Sequence, residues 1–129
     1  MKTLTLPQAL FIHARLTTAR GGKHGMRDGS SLKYALSTPN ALFKDQPLYP
    51  DDFQQAAALL QALVEAQPFK EGSLTTALAI TMPSLQRSGY QPEATKDELQ
   101  AFAERVRTGE VLLLEMAVWI KGKCRDKKS

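Results

Sequence analysis

The sequence predicts a single all-α domain of about six helices. Three observations lead there. Apolar residues recur at helical spacing along most of the chain. Helix-start signatures stand ahead of several of these stretches. No segment reads convincingly as a sheet, and no repeat or low-complexity stretch divides the chain. With 129 residues, 43% of them hydrophobic, the chain is long enough to enclose one core.

Thr5-Leu6-Pro7-Gln8 opens the first helix. Thr5 can cap, Gln8 stands three residues on, and Pro7 falls in the first turn, where its missing donor costs little. Leu6, Leu10, Ile12, His13, Leu16 and Thr17 keep an approximately helical period, and Gly21-Gly22 end the helix near Arg20. His13 is expected at the surface or edge of this helix. A glycine-rich loop, 21–28, follows and carries His24. It lacks the Lys-Ser/Thr of a P-loop and no strand precedes it. Asp28 can cap a short helix, Gly29 to Ser37, which Thr38-Pro39 stops. From Asn40 to Pro50, two prolines, two aromatics and no clean period predict an ordered loop, with Phe43 and Tyr49 as packing anchors or, second to that, contacts to a target.

Asp51 and Gln54 form a second capping pattern before a helix over Phe53–Ala66. Its apolar face is broad, and its alanines allow close packing. Leu74 to Ser88 is a further helix; Pro83 in its interior predicts a kink near Ala79 to Pro83. Gly89 suits a left-handed cap. Thr95 and Glu98 make a third capping box, with Leu99, Phe102, Ala103 and Val106 as the apolar stripe behind it. Thr108-Gly109 break that helix. The last runs from about Glu110 to Lys121, apolar nearly all round except Glu115, which predicts burial in the domain or, second to that, partial cover by a partner. Residues 1–122 are therefore read as the domain and 123–129 as a basic, frayed tail.

Net charge is +4, with acidic residues scattered among the basic ones, so no strong nucleic-acid footprint follows; the basic residues gathered from Lys121 to Lys128 read as a solvated tail or, second to that, a contact for nucleic acid or an acidic partner. The lone cysteine, Cys124, allows no internal disulfide and fits a reducing cytosol. The longest apolar run, Val111 to Ile120, is far shorter than the roughly 20 residues of a membrane span. A cytoplasmic protein with no membrane partner is expected.

The chemistry centres on Gln67-Pro68-Phe69-Lys70-Glu71-Gly72-Ser73-Leu74-Thr75-Thr76-Ala77. Pro68 disfavours helix at Gln67, and Gly72 permits angles other residues avoid. The stretch reads as a tight loop feeding a helix N-terminus, where unpaired N–H groups and the dipole favour phosphate. It resembles the signature of the Fic/Doc (Fido) superfamily, the death-on-curing branch above all: His-Pro-Phe-Xxx-Asp-Gly-Asn-Lys-Arg-Thr-Ala. Pro68, Phe69, Gly72, Thr76 and Ala77 match, and Glu71 replaces an acid by an acid. The resemblance extends to Gly21-Gly22, Gly25, Arg27-Asp28, Leu32, Ala35-Leu36 and Pro39, and to Gly89-Tyr90.

The resemblance implies an all-helical Fido domain that uses ATP and Mg²⁺. The family transfers part of a nucleotide to a protein hydroxyl. The death-on-curing toxin phosphorylates a translation factor and is covered by the C-terminal segment of a Phd-like antitoxin. By the same resemblance, Phe69, Glu71, Gly72, Ser73 and Thr75 border the nucleotide. Glu71 is a possible Mg²⁺ ligand or a carboxylate that favours the next helix's N-terminus. Phe69 matches a residue that anchors the loop in the core. The departures fall on the reaction itself. Gln67 stands where the family has its catalytic His, and an amide cannot act as a base near neutral pH. Ser73 stands at the family's Asn, where it can donate one hydrogen bond. Leu74 and Thr75 replace two cations that would offset phosphate charge, and phosphoryl transfer depends on such charge. His24 remains a candidate substitute base. The expected protein is a Doc-like member of a toxin–antitoxin lineage, catalytically impaired, that acts by binding an antitoxin or a translation factor. The alternative is an active toxin that transfers a phosphate or nucleotide moiety from ATP to a translation-factor hydroxyl.

Overall fold

The computed structural model describes residues 1–19, 29–66 and 73–126. Six α-helices carry the fold: α1 Leu6–Ala19, α2 Gly29–Ser37, α3 Asp52–Ala66, α4 Ser73–Arg87, α5 Lys96–Arg107 and α6 Leu113–Gly122. The bundle is built round α3. Ala56, Ala57, Ala58, Leu59 and Leu60 are buried in unbroken succession, so the middle of this helix is covered on every side. It packs against α2, α4, α5 and α6, and α1 reaches the bundle by lying on α4. The run of three alanines is what lets neighbouring backbones approach from several directions at once.

The predicted caps form. Thr5 N–H donates to Gln8 Oε1 at 2.9 Å, and Gln8 N–H returns to Thr5 Oγ1 at 3.4 Å. Gln54 N–H donates to Asp51 Oδ1 at 2.8 Å ahead of α3. At α5, Glu98 N–H donates to Thr95 Oγ1 at 3.1 Å and Thr95 N–H to Glu98 Oε1 at 3.0 Å. Gly89 and Gly109, both at positive φ, follow α4 and α5. The helix α4 continues through Pro83. Around it, Thr81 Oγ1 donates to the Ala77 carbonyl and Ser84 Oγ to the Ile80 carbonyl, both at 2.8 Å. Ser84 Oγ also accepts from Leu4 N–H at 3.1 Å, and Ser88 Oγ from Lys2 N–H at 2.7 Å. These two serines tie the first residues of the chain to the end of α4.

Four short strands correct the expectation of no sheet. Leu42–Phe43 (β1) and Gln46–Pro47 (β2) form a hairpin within the predicted loop, after a 3₁₀ turn at Thr38–Asn40. Its two turn residues, Lys44 and Asp45, lie at φ 52° and 64°, the doubly left-handed pattern that matches strand twist. Neither is glycine, so the usual sequence signal is missing. Phe43 is 62% exposed and does not anchor the core as expected; Tyr49 is half-buried. Tyr90–Pro92 (β3) pairs antiparallel with Cys124–Asp126 (β4). Glu93 N–H adds a bond to the Lys123 carbonyl at 2.7 Å. Residues 124–126, expected as frayed tail, are thus paired strand.

The end of the bundle departs from expectation twice more. Helix α6 begins at Leu113, not near Glu110. Gly109 turns the chain, Val111 drops into the core, and Glu115 Oε1 accepts from Leu112 N–H at 3.1 Å to close the N-terminus. The helix is not buried all round. Met116, Ala117 and Ile120 face α3, whereas Leu112, Leu114 and Val118 are 70%, 63% and 72% exposed. A short helix at the margin of a small bundle has one neighbour-facing stripe, whatever its composition. Trp119 stacks on Phe102 of α5, ring centroids 3.9 Å apart.

Candidate functional site

The stretch that carries the chemistry meets the described structure at the start of α4. Ser73 is the first residue of that helix, and Thr75 lies half-buried two residues on. Gln67, Phe69, Glu71 and Gly72 lie outside the described residues, as does His24 with its glycine-rich loop. The described part of the site is the helix itself and the elements packed on it.

The first turn of α4 sorts its side chains clearly. Leu74 packs against the core cluster, and Thr76 and Ala77 are each 1% exposed. The Thr-Ala pair at the end of the motif therefore seats the helix against the bundle. Leu74 at the family's Lys position has joined this packing. The first turn contains no acidic residue, and its sequence, Ser-Leu-Thr-Thr, contains no cation. What the turn can offer a phosphate is backbone N–H groups and the half-unit positive end of a 15-residue helix. Such an end suits an anion. The two charge-neutralising side chains of the family are lacking.

His13 departs from the expectation of a surface position. It is 3% exposed, and its Nδ1 lies 3.3 Å from Thr76 Oγ1. Helix α1 thus delivers an imidazole to the first turn of α4. The signal is present in the spacing: Ala9 and His13 are four residues apart and both are buried, so they share the stripe that faces α4. Polarity alone argues for the surface. A polar ring fits the buried stripe because Thr76 supplies a partner. The contact fixes the position of the motif's threonine.

Two hollows lie elsewhere on the surface. One, of about 330 Å³, is walled by Tyr34, Thr38, Tyr49, Gln61 and Glu65, so Tyr49 lines a polar cavity beside the hairpin. The second, of about 370 Å³, lies between α1 and Pro83 of α4. Cys124 is half-buried, and burial raises its thiol pKa to about 11, which makes it a poor nucleophile. Among the described residues no group of three or more His, Cys, Asp or Glu side chains could hold a metal ion. No described helix is long and apolar enough to cross a membrane.

A search of curated proteins returns no match. The Fic/DOC family model matches residues 3–85, a span that takes in α1 to most of α4 and the whole central motif. A bundle of six helices with a buried α3 at its centre agrees with the Fido bundle that the sequence predicted. The match covers well over half of the chain, and the chain belongs to the Fic/DOC family.

Proposed function

We propose that this protein is a Doc-like member of a toxin–antitoxin lineage whose transfer chemistry is impaired and which acts by binding a protein partner. One observation carries the proposal: every position at which the motif departs from the family pattern is a position that does chemistry. Gln67 replaces the base, and Leu74 and Thr75 replace the cations. The positions that hold the fold are kept, Thr76 and Ala77 among them, and both are buried. Loss confined to the reacting groups, with the scaffold retained, suits a protein kept for what it holds. Glu71 and the α4 N-terminus leave room for ATP and Mg²⁺ to bind without turnover, in the manner the family implies. The partner is an antitoxin-like segment or a translation factor, in the cytoplasm.

The test is transfer from labelled ATP. Purified protein with Mg²⁺ and a bacterial translation extract should leave no label on any protein above the level seen with Glu71→Ala. Label that depends on Glu71 overturns the proposal and restores the active toxin. Calorimetry with ATP and Mg²⁺ on the wild type and Glu71→Ala then decides whether the nucleotide site survives. Binding that weakens in the variant keeps it, and no binding in either retires it.

A further inference from the structure

The hollow beside the hairpin brings two phenols and a carboxylate together. Tyr34 comes from α2, Tyr49 from the chain after β2, and Gln61 and Glu65 from one face of α3. Ala58 and Ala62 of the same helix form the floor, and their small side chains leave about 330 Å³ open above it. That volume suits a small ligand. Tyr49 is held through its carbonyl, which accepts from Gln55 Nε2 at 3.0 Å. Tyr34, 67% exposed, stands at the rim.

The polar groups of this hollow can all accept hydrogen bonds. Thr38 can only accept, because Thr38 Oγ1 already donates its proton to the Ala35 carbonyl at 2.7 Å. Gln61 offers an amide carbonyl, the tyrosines their phenol oxygens, and Glu65 a carboxylate. Among the described residues Glu65 has no ion-pair partner, and no Lys, Arg or His lines the hollow. Aromatic faces and a carboxylate attract a cation. Acceptors gathered round that carboxylate favour a cation that carries N–H groups over one that carries none. The same lining repels phosphate, so its chemistry is opposite to that of the α4 N-terminus.

We propose that this hollow binds a small organic cation bearing N–H donors, an alkylguanidinium or a primary alkylammonium, with its charge on Glu65 and its stem against the tyrosines. Binding there rests on neither transfer chemistry nor a protein partner. The probes are butylguanidinium and butylammonium, titrated into the isotope-labelled whole chain and followed by amide chemical shifts. Shifts should gather at residues 34–38, 49 and 58–65, saturate at millimolar concentration and weaken with added salt. Glu65→Gln should weaken binding about tenfold, and Tyr34→Ala about threefold. Both side chains are exposed, so both variants should keep the wild-type spectrum elsewhere. Tetramethylammonium, which has the charge but no N–H, should bind more weakly than either probe, and butyrate should not bind. No shift with either cation overturns the proposal, as does Glu65→Gln binding within twofold of the wild type. Tetramethylammonium or butyrate binding as well as the probes also overturns it. Displacement of the cation by adenosine would overturn it in favour of a nucleotide site, and a blocked Gly-Arg-Gly peptide binding about tenfold more tightly than butylguanidinium would do so in favour of a protein side chain.

Discussion

At the residue scale, two buried hydroxyls join segments that are far apart in the chain. Thr76 holds His13, and Ser84 holds the backbone of Leu4 while bonding the Ile80 carbonyl. Thr76→Val keeps the shape and withdraws one partner from a buried ring. It should lower stability by about 1–2 kcal/mol, read from urea unfolding. Ser84→Ala orphans the Leu4 N–H and should cost about as much. An unchanged midpoint in either variant would show that the contact contributes nothing. The sequence displays these residues as a histidine and some hydroxyls on apolar helices, and their pairing across 63 and 80 positions has no local signature. Glu98 differs, because one of its partners, Thr95, is legible three residues away. Its carboxyl is held down to about 2, first by the Lys123 ammonium and then by the Thr95 cap, from an ordinary value of 4.5. A depressed carboxylate pKa stabilises the folded state above its unfolded value and stops doing so as pH falls through the folded one. The melting temperature should therefore drop between about pH 4.5 and pH 2, by more than in Glu98→Gln. Equal slopes in the two proteins would remove Glu98 from the account.

Elements are legible where one local rule suffices. The capping pairs mark the starts of α1, α3 and α5, and the glycines after α4 and α5 mark their ends. The hairpin is not legible, since its strands are two residues long and its turn has Lys44 and Asp45 where glycine or asparagine is usual. A left-handed angle costs an ordinary L-residue about 1–2 kcal/mol. Asp45→Gly should accordingly stabilise the protein by roughly 0.5–1 kcal/mol, net of the extra freedom glycine gives the unfolded chain. A loss of stability would mean that the Asp45 side chain is needed there. Helix α6 escapes the sequence for another reason. Composition says how apolar a helix is, but the number of neighbours decides how much of it is covered. Leu114 and Val118 face outward because α3 takes up the other side.

At the scale of the whole molecule, the family match and the folding unit have different limits. The match ends at residue 85, yet α3 is covered on one side by Met116, Ala117 and Ile120 of α6. A fragment cut at residue 88 would bare that side. It should bind a hydrophobic dye and lack a cooperative melt, while the chain through residue 126 melts in one step. The fold class is readable from sequence because helical period, caps and a family pattern agree along the chain. The site is readable only as a set of departures. Its geometry depends on which helix meets the first turn of α4, and that is fixed by packing between distant segments.

The bonds that gather residues 2, 4 and 124–126 at the far end of α4 also bear on connectivity. Residues 2 and 4 hang from Ser88 and Ser84, and residues 124–126 pair with the strand that follows Gly89. The path of the chain thus leaves and returns to one corner of the bundle, and the Lys44–Asp45 turn is an exposed tip at which it could be opened instead. A permuted gene, joined by a short flexible linker at that corner and begun at Asp45, should still encode the same bundle. It would present the hollow beside α1 with neither end of the polypeptide next to it.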